Sequence, residues 1–347
     1  MSKISVMKIV WLYSCLLNID GYCGDIGRNT AAAAQQDLYQ KREDARRSGY
    51  AVIRKDEELR NIYRENPGVE YMYVCGDAGL YRPCFCSYGK LKHIIVERGD
   101  AQTRASDPDY WTPGYGTIPP HAFENCTNLR EIELPDNITS IRDSAFSKCS
   151  FLTLTALPDS VREIGCLAFR GCTSLAPAKL PAGLIKIGVC AFSGCISLAP
   201  TELPPGLISI GPYAFRHCTS LNVKELPPGL RLIDMGAFEG CCGLETMTVP
   251  SSVKNICYGA FRTTGLLMLD LSACSSVSFF DFGYRKVPHN AESILNCLFG
   301  TNEHNESGGP RSIRECICDN CVVRLPCNLG DWVFYQDDGK WHNLPNE

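Results

Sequence analysis

The pair Ala-Phe returns seven times at a fixed interval, and its phenylalanines stand at Phe123, Phe146, Phe169, Phe192, Phe215, Phe238 and Phe261, 23 residues apart without slippage. Three residues after the first six come Cys126, Cys149, Cys172, Cys195, Cys218 and Cys241, with Thr264 in the seventh copy. Three further on are Leu129, Leu152, Leu175, Leu198, Leu221, Leu244 and Leu267. A Leu-Pro step lies at 134–135, 157–158, 180–181, 203–204 and 226–227, with Val249-Pro250 following in register. Isoleucine keeps one column at Ile118, Ile141, Ile164, Ile187, Ile210, Ile233 and Ile256, and an aliphatic residue (Ile138, Val161, Leu184, Leu207, Leu230, Val253) precedes each of the last six by three. A coil this short cannot bury its own apolar side. Stacked coils bury each other's, and the apolar columns become ladders along one continuous core.

The local chemistry gives each coil its corners. Proline after leucine ends an extended segment because it has no N–H for a ladder, and the pairs that follow (DN, DS, AG, PG, PG, SS) favour turns. Gly165, Gly188 and Gly211 suit a tight bend. The Ala-Phe-x-x-Cys segment reads as a short helical or 3₁₀ turn with Phe and Cys on one side.

The pattern L-x-x-x-x-L-P-x-x-[VL]-x-x-I-x-x-x-A-F-x-x-C closely resembles the BspA-like leucine-rich repeat, over roughly residues 115–282. The resemblance implies a repeat solenoid, a right-handed coil with short parallel strands and short helical turns. It is mostly β, here with a small α+β flank at its N-terminus. It also implies a binding or adhesion surface rather than an enzyme. One column departs from the family. Two residues before the Leu of Leu-Pro stand Ile132, Thr155, Ala178, Thr201, Lys224 and Met247, with Pro177 and Pro200 one place earlier. The extended segment there is expected to be irregular in the middle copies, and the [VL]-x-x-I segment to pair better.

Cysteine makes up 21 of the 347 residues. Cys218 with His217 beside it looks like a nucleophile or a ligand pair, but it is one rung of six, and a catalytic cysteine does not come in equivalent copies. The six are read as small apolar core residues, unbridged because stacked side chains point the same way and a disulfide needs a specific torsion. His217 is read as a surface residue. Unpaired core thiols favour an intracellular compartment slightly over a secreted or cell-surface one. Against that, Ile9–Ile19 after Lys3 and Lys8 gives residues 1–23 a signal-like outline; a buried helix or strand is the other reading. The sequons at Asn125, Asn137 and Asn305 matter only for a secreted chain.

Residues 1–114 form an N-terminal flank, either a cap on the first coil or a small separate domain. Helices are expected over 35–47 and 56–66, strands in EYMYVC and KLKHIIVE, a turn at RPCFCSYG between them, and a linker over 107–116. Residues 283–347 form a cysteine-containing cap or tail, preceded by a last worn copy with Phe279 in the isoleucine column. Cys316, Cys318, Cys321 and Cys327 are dense enough to suggest zinc, with His342 spare. Structural zinc sites place two short pairs well apart, so no metal is assigned, and unliganded thiols or disulfides are the alternatives. No cofactor is expected.

With a formal net charge of −4 and no strongly basic segment, nucleic acid is not an expected partner. No apolar run reaches the length of a membrane span. Hydrolase, nucleotide and metalloprotease motifs are missing, which leaves only a site assembled in the N-terminal segment for an enzyme. The leading expectation is a non-enzymatic scaffold with a protein partner; the alternative is a secreted or surface adhesin. Repetition marks the core, so a partner face belongs to columns that vary. Two such columns hold Arg130, Glu245 and, three residues on, Glu133, Lys179, Glu202 and Glu225.

Overall fold

The computed structural model describes residues 26–66, 68–76, 78, 80–81, 85, 88–98, 110–111, 116–300, 320–326, 329–335 and 340–344. The signal-like segment lies outside them. The chain divides into two compact units, Met1–Ser48 and Gly49–Glu347. The first contains the helix Ile26–Arg47, which begins before the 35–47 expected from sequence. Side-chain pairs one turn apart, such as Lys41 with Asp37 at 2.8 Å, line its exposed surface.

The second unit is the solenoid. Its long sheet has eight parallel strands: Thr117–Ile118, Ser140–Ile141, Glu163–Ile164, Lys186–Ile187, Ser209–Ile210, Leu232–Ile233, Asn255–Cys257 and Ser278–Phe280. Each isoleucine faces the isoleucine one period on, and Ile256 faces Phe279. The Leu-Pro corners close as turns, with the N–H of Val161, Leu184, Leu207 and Leu230 donating to the proline carbonyl three residues back at 3.0–3.1 Å.

The Ala-Phe corner is a hydrogen-bonded turn rather than a helix. In each coil the residues two before and two after Phe adopt left-handed backbone: Ser144 and Lys148, Leu167 and Gly171, Cys190 and Gly194, Tyr213 and His217. With these bends, the N–H groups at −2, 0 and +2 all donate to the next coil. Ser144 reaches Cys166, Phe146 reaches Ala168 and Lys148 reaches Arg170, at 2.8, 2.7 and 2.6 Å. The phenylalanine rings stack inside, fully buried. Their centroids lie 5.0 Å apart between Phe123 and Phe146, widening to 5.7 Å between Phe238 and Phe261. Gly165, Gly188 and Gly211 have ordinary negative φ. Their role is close approach: a Cβ on Gly188 would lie 2.7 Å from the backbone of Gly165 and Cys166.

On the coil's other extended side the pairing is interrupted. One parallel sheet joins Ala51–Ile53, Tyr71–Val74, His93–Val96 and Glu131–Glu133. A second joins Thr246–Thr248, Met268–Asp270 and Cys321–Arg324, then turns antiparallel through Asp331–Tyr335 and Lys340–Leu344. The copies between form no strand there. They bury Leu154, Pro177, Pro200 and Val223, one place earlier than Ile132 and Met247, and proline at that position cannot donate to a ladder. The irregularity expected of the middle copies is present.

One sequence expectation is corrected, the inward place of Leu267, and the stacking contacts extend beyond the regular copies at both ends. Phe85, which the sequence placed in a turn, stacks on Phe123 at 4.8 Å, and its N–H donates to Ala122 as every ladder phenylalanine's does to the next coil. Tyr88 and Leu91 follow it at the spacing of the Cys and Leu columns and are buried. Coil stacking therefore runs across residue 115. In the seventh copy Leu267 is 53% exposed and Leu266 is buried instead. The pairing of Met247 with Leu269 shows the same one-residue deletion. The stack also continues past 282. The helix Ala291–Phe299, capped by the Asn290 side chain and by Gly300 in left-handed backbone, offers the carbonyls of Cys297 and Leu298 to the N–H groups of Gly259 and Phe261. It supplies the acceptors that another Ala-Phe turn would give. The antiparallel hairpin finishes the sheet edge, as the end of a solenoid requires.

Candidate interaction surface

Every column residue singled out for a partner face is exposed: Arg130, Glu133, Lys179, Glu202, Glu225 and Glu245. The turn from mixed charge to acidic along the stack is only lightly neutralised within the chain. Lys179 Nζ lies 3.8 Å from Glu202 Oε1, with the two side chains 74% and 71% exposed, where such a pair contributes little. Among the described residues Glu225 and Glu245 make no ion pair. The columns ride on paired strands at Glu131–Glu133 and Thr246–Thr248, and on the unpaired segments of the middle copies between them.

Glu133 has neighbours that the sequence reading missed. The sheet register sets Tyr71, His93 and Glu131 side by side. The Tyr50 hydroxyl lies 2.9 Å from His93 Nδ1, and His93 Nε2 lies 3.6 Å from Glu133. Burial, then the Glu133 charge, pushes the Tyr50 phenol up to about 12. At neutral pH it keeps its proton, so it can serve as a hydrogen-bond donor to His93 but not as a phenolate nucleophile. Sequence marks both segments as strands, but neither YMYV nor HIIV alternates in polarity, so only the strand pairing sets Tyr71 beside His93.

The cysteine columns carry a structural chemistry. Cys149, Cys172, Cys195, Cys218 and Cys241 each donate Sγ–H to the phenylalanine carbonyl of the preceding coil at 3.0–3.1 Å. Burial pushes Cys172 and Cys218 up to about 12 and Cys195 and Cys241 well above the ordinary thiol value. Protonated and buried, these thiols are poor nucleophiles and poor metal ligands. His217 is exposed, as expected, in its left-handed turn. Of the four clustered C-terminal cysteines, Cys321 is a buried strand residue, and Cys316, Cys318 and Cys327 lie outside the described residues. Among the described residues no three potential ligands gather into a metal site, and no helix is long and apolar enough to cross a membrane.

Residues 112–156 and 151–268 match the sequence profile of the BspA type leucine rich repeat region, in six copies. Among solved structures, a leucine-rich repeat protein of T. pallidum is similar at 30% identity, covering 49% of this chain and 75% of that one, with a TM-score of 0.41. A leucine-rich cell surface protein of Faecalibacterium prausnitzii aligns at 17% identity over 72% of this chain and 86% of its own, with a TM-score of 0.33. A leucine-rich repeat protein of Eubacterium ventriosum aligns at 20% over 57% and 59%, with a TM-score of 0.41. No protein of curated function matches the chain.

Proposed function

The chain belongs to the BspA-type leucine-rich repeat family, and from that premise we propose that it is a non-enzymatic scaffold whose protein partner meets the two variable columns running from Arg130 and Glu133 to Glu225 and Glu245. One observation carries the reading. Core columns repeat the same residue from rung to rung, while these columns are exposed at every copy and change chemical character along the stack, with only Ala176 and Ala199, and Glu202 and Glu225, alike on adjacent coils. A regular stack offers the partner fixed spacing, and the varying side chains give it specificity. Glu202, Glu225 and Glu245 make the C-terminal half acidic, so the partner is basic or of mixed charge there and binds more weakly as salt rises.

The test uses a partner recovered on the immobilised full chain and then purified. Glu202→Lys with Glu225→Lys should weaken its binding. Arg170→Glu with Arg216→Glu, on the Ala-Phe turns, should not. Loss of binding only in the second pair would move the interface to the turns.

A further inference from the structure

The long sheet carries a second, differently charged face. Just before each isoleucine rung, one column reads Thr139, Arg162, Ile185, Ile208, Arg231 and Lys254, and all six are exposed. Backbone bonds make it continuous: Ile185 N–H donates to Arg162 at 2.8 Å, Ile208 to Ile185 at 3.0 Å and Lys254 to Arg231 at 2.8 Å. The adjoining outward column reads Ser140, Glu163, Lys186, Ser209, Leu232 and Asn255. These two columns hold four cations and one carboxylate, Glu163. The two columns of the proposed partner face hold two cations and four carboxylates over the same six copies.

Among the described residues none of the four cations is paired with a carboxylate. Arg162 donates to the Asp159 backbone carbonyl, and Lys254 to the Ser251 carbonyl and the Ser276 hydroxyl. Lys186 and Arg231 make no ion pair among the described residues. Between the cations sit two isoleucines on consecutive coils, Ile185 and Ile208, 41% and 47% exposed. Leu232 adds partly exposed apolar surface at the edge. An exposed apolar patch rimmed by polar residues marks an interaction site, and the excess of four cations over the single carboxylate, Glu163, sets the sign of its occupant by charge complementarity.

We infer that this stripe is a second docking surface, and that it takes an acidic protein segment with apolar residues at its centre. Carboxylates of the segment meet Arg162 on one side and Arg231 and Lys254 on the other, and its apolar side chains cover Ile185 and Ile208. Parallel strands stack about 4.8 Å apart, so Arg162 to Lys254 spans about 19 Å. An extended peptide rises about 3.3 Å per residue, so about six residues suffice.

The test is fluorescence anisotropy on the full chain with a labelled peptide of two central leucines flanked on both sides by glutamates, and a companion in which serines replace the leucines. The leucine peptide should bind, and more weakly at high salt. Ile185→Ser with Ile208→Ser, and separately Arg162→Glu with Arg231→Glu, should each weaken it about tenfold or more. Glu202→Lys with Glu225→Lys should not weaken it, which separates this surface from the partner face proposed above. All four positions of the two test pairs are exposed, and unchanged thermal unfolding checks that each variant folds. Equal binding of both peptides, binding that survives both test pairs, or binding of phosphatidylserine vesicles but not the peptide would overturn the inference. So would a dimer of the parent chain that dissociates on Ile185→Ser with Ile208→Ser, because the occupant would then be a second copy.

Discussion

The cysteine ladder should make this protein sensitive to alkali in a way that alanine removes. Cys172 and Cys218 are buried, two rungs apart with Cys195 between them, and burial pushes both thiols up to about 12 against an ordinary value of 9.0. The folded-state value is raised, so the stabilisation is fully present below about pH 9 and is lost as pH rises toward about 12. In that window the unfolded chain ionises its thiols and the folded chain cannot. Each group contributes a slope of one proton, so the pair lowers stability by about 3 kcal/mol per pH unit. At neutral pH, Cys172→Ala with Cys218→Ala should itself cost about 2 kcal/mol, the usual centre for two single changes. Each phenylalanine carbonyl that loses a thiol donor keeps a backbone N–H, as Phe146 keeps that of Cys149, so no buried acceptor is orphaned. Parent and variant should therefore exchange rank near pH 10. The assay is guanidinium unfolding at several pH values from 7 to 11 under a reductant, followed by circular dichroism. Tyrosines and lysines titrate equally in both proteins and cancel. A stability difference that stays flat from pH 8 to 11 would refute the reasoning.

Three further outcomes are expected in the same titration at neutral pH. Phe192→Ala removes a ring stacked between Phe169 and Phe215 at 5.4 and 5.6 Å and should cost about 3–5 kcal/mol, far more than His217→Ala on the exposed turn. Gly188→Ala would set a Cβ 2.7 Å from the backbone of the preceding coil and should cost more than about 2 kcal/mol, whereas Gly194→Ala, with its nearest neighbour at 3.7 Å and φ of +78°, should lose only about 1 kcal/mol of backbone preference. Lys148→Gly and His217→Gly, both exposed in left-handed backbone, should each stabilise by about 1 kcal/mol; destabilisation by both would show that those side chains hold the turn.

The sequence by itself determined the period, the solenoid and the core of its regular part. Each regular coil meets the same neighbours, so one set of packing constraints is written again and again, and Phe, Cys, Leu and Ile stand out as columns. The gap in the second sheet was legible for the same reason, since Pro177 and Pro200 interrupt a repeated place. The chemistry of the ladder thiols was half legible: their burial followed from repetition, but the Sγ–H bonds to the preceding coil's phenylalanine carbonyls needed coordinates. Only the tertiary structure decided the ends. Phe85 lies 38 residues before Phe123, so extra chain between the two hides its rung from any count by period, although the rings stack as if it were absent. The single-residue deletion that turns Leu267 outward and Leu266 inward is invisible until strand pairing fixes the register. The helix Ala291–Phe299 shares no repeat residues with the turn whose carbonyls it replaces, because a cap needs only acceptors in the right places. The two candidate surfaces divide the same way. Their columns are written in the sequence, but exposure, pairing of charges and the meeting of Tyr50, His93 and Glu133 arise from chain segments brought together across coils.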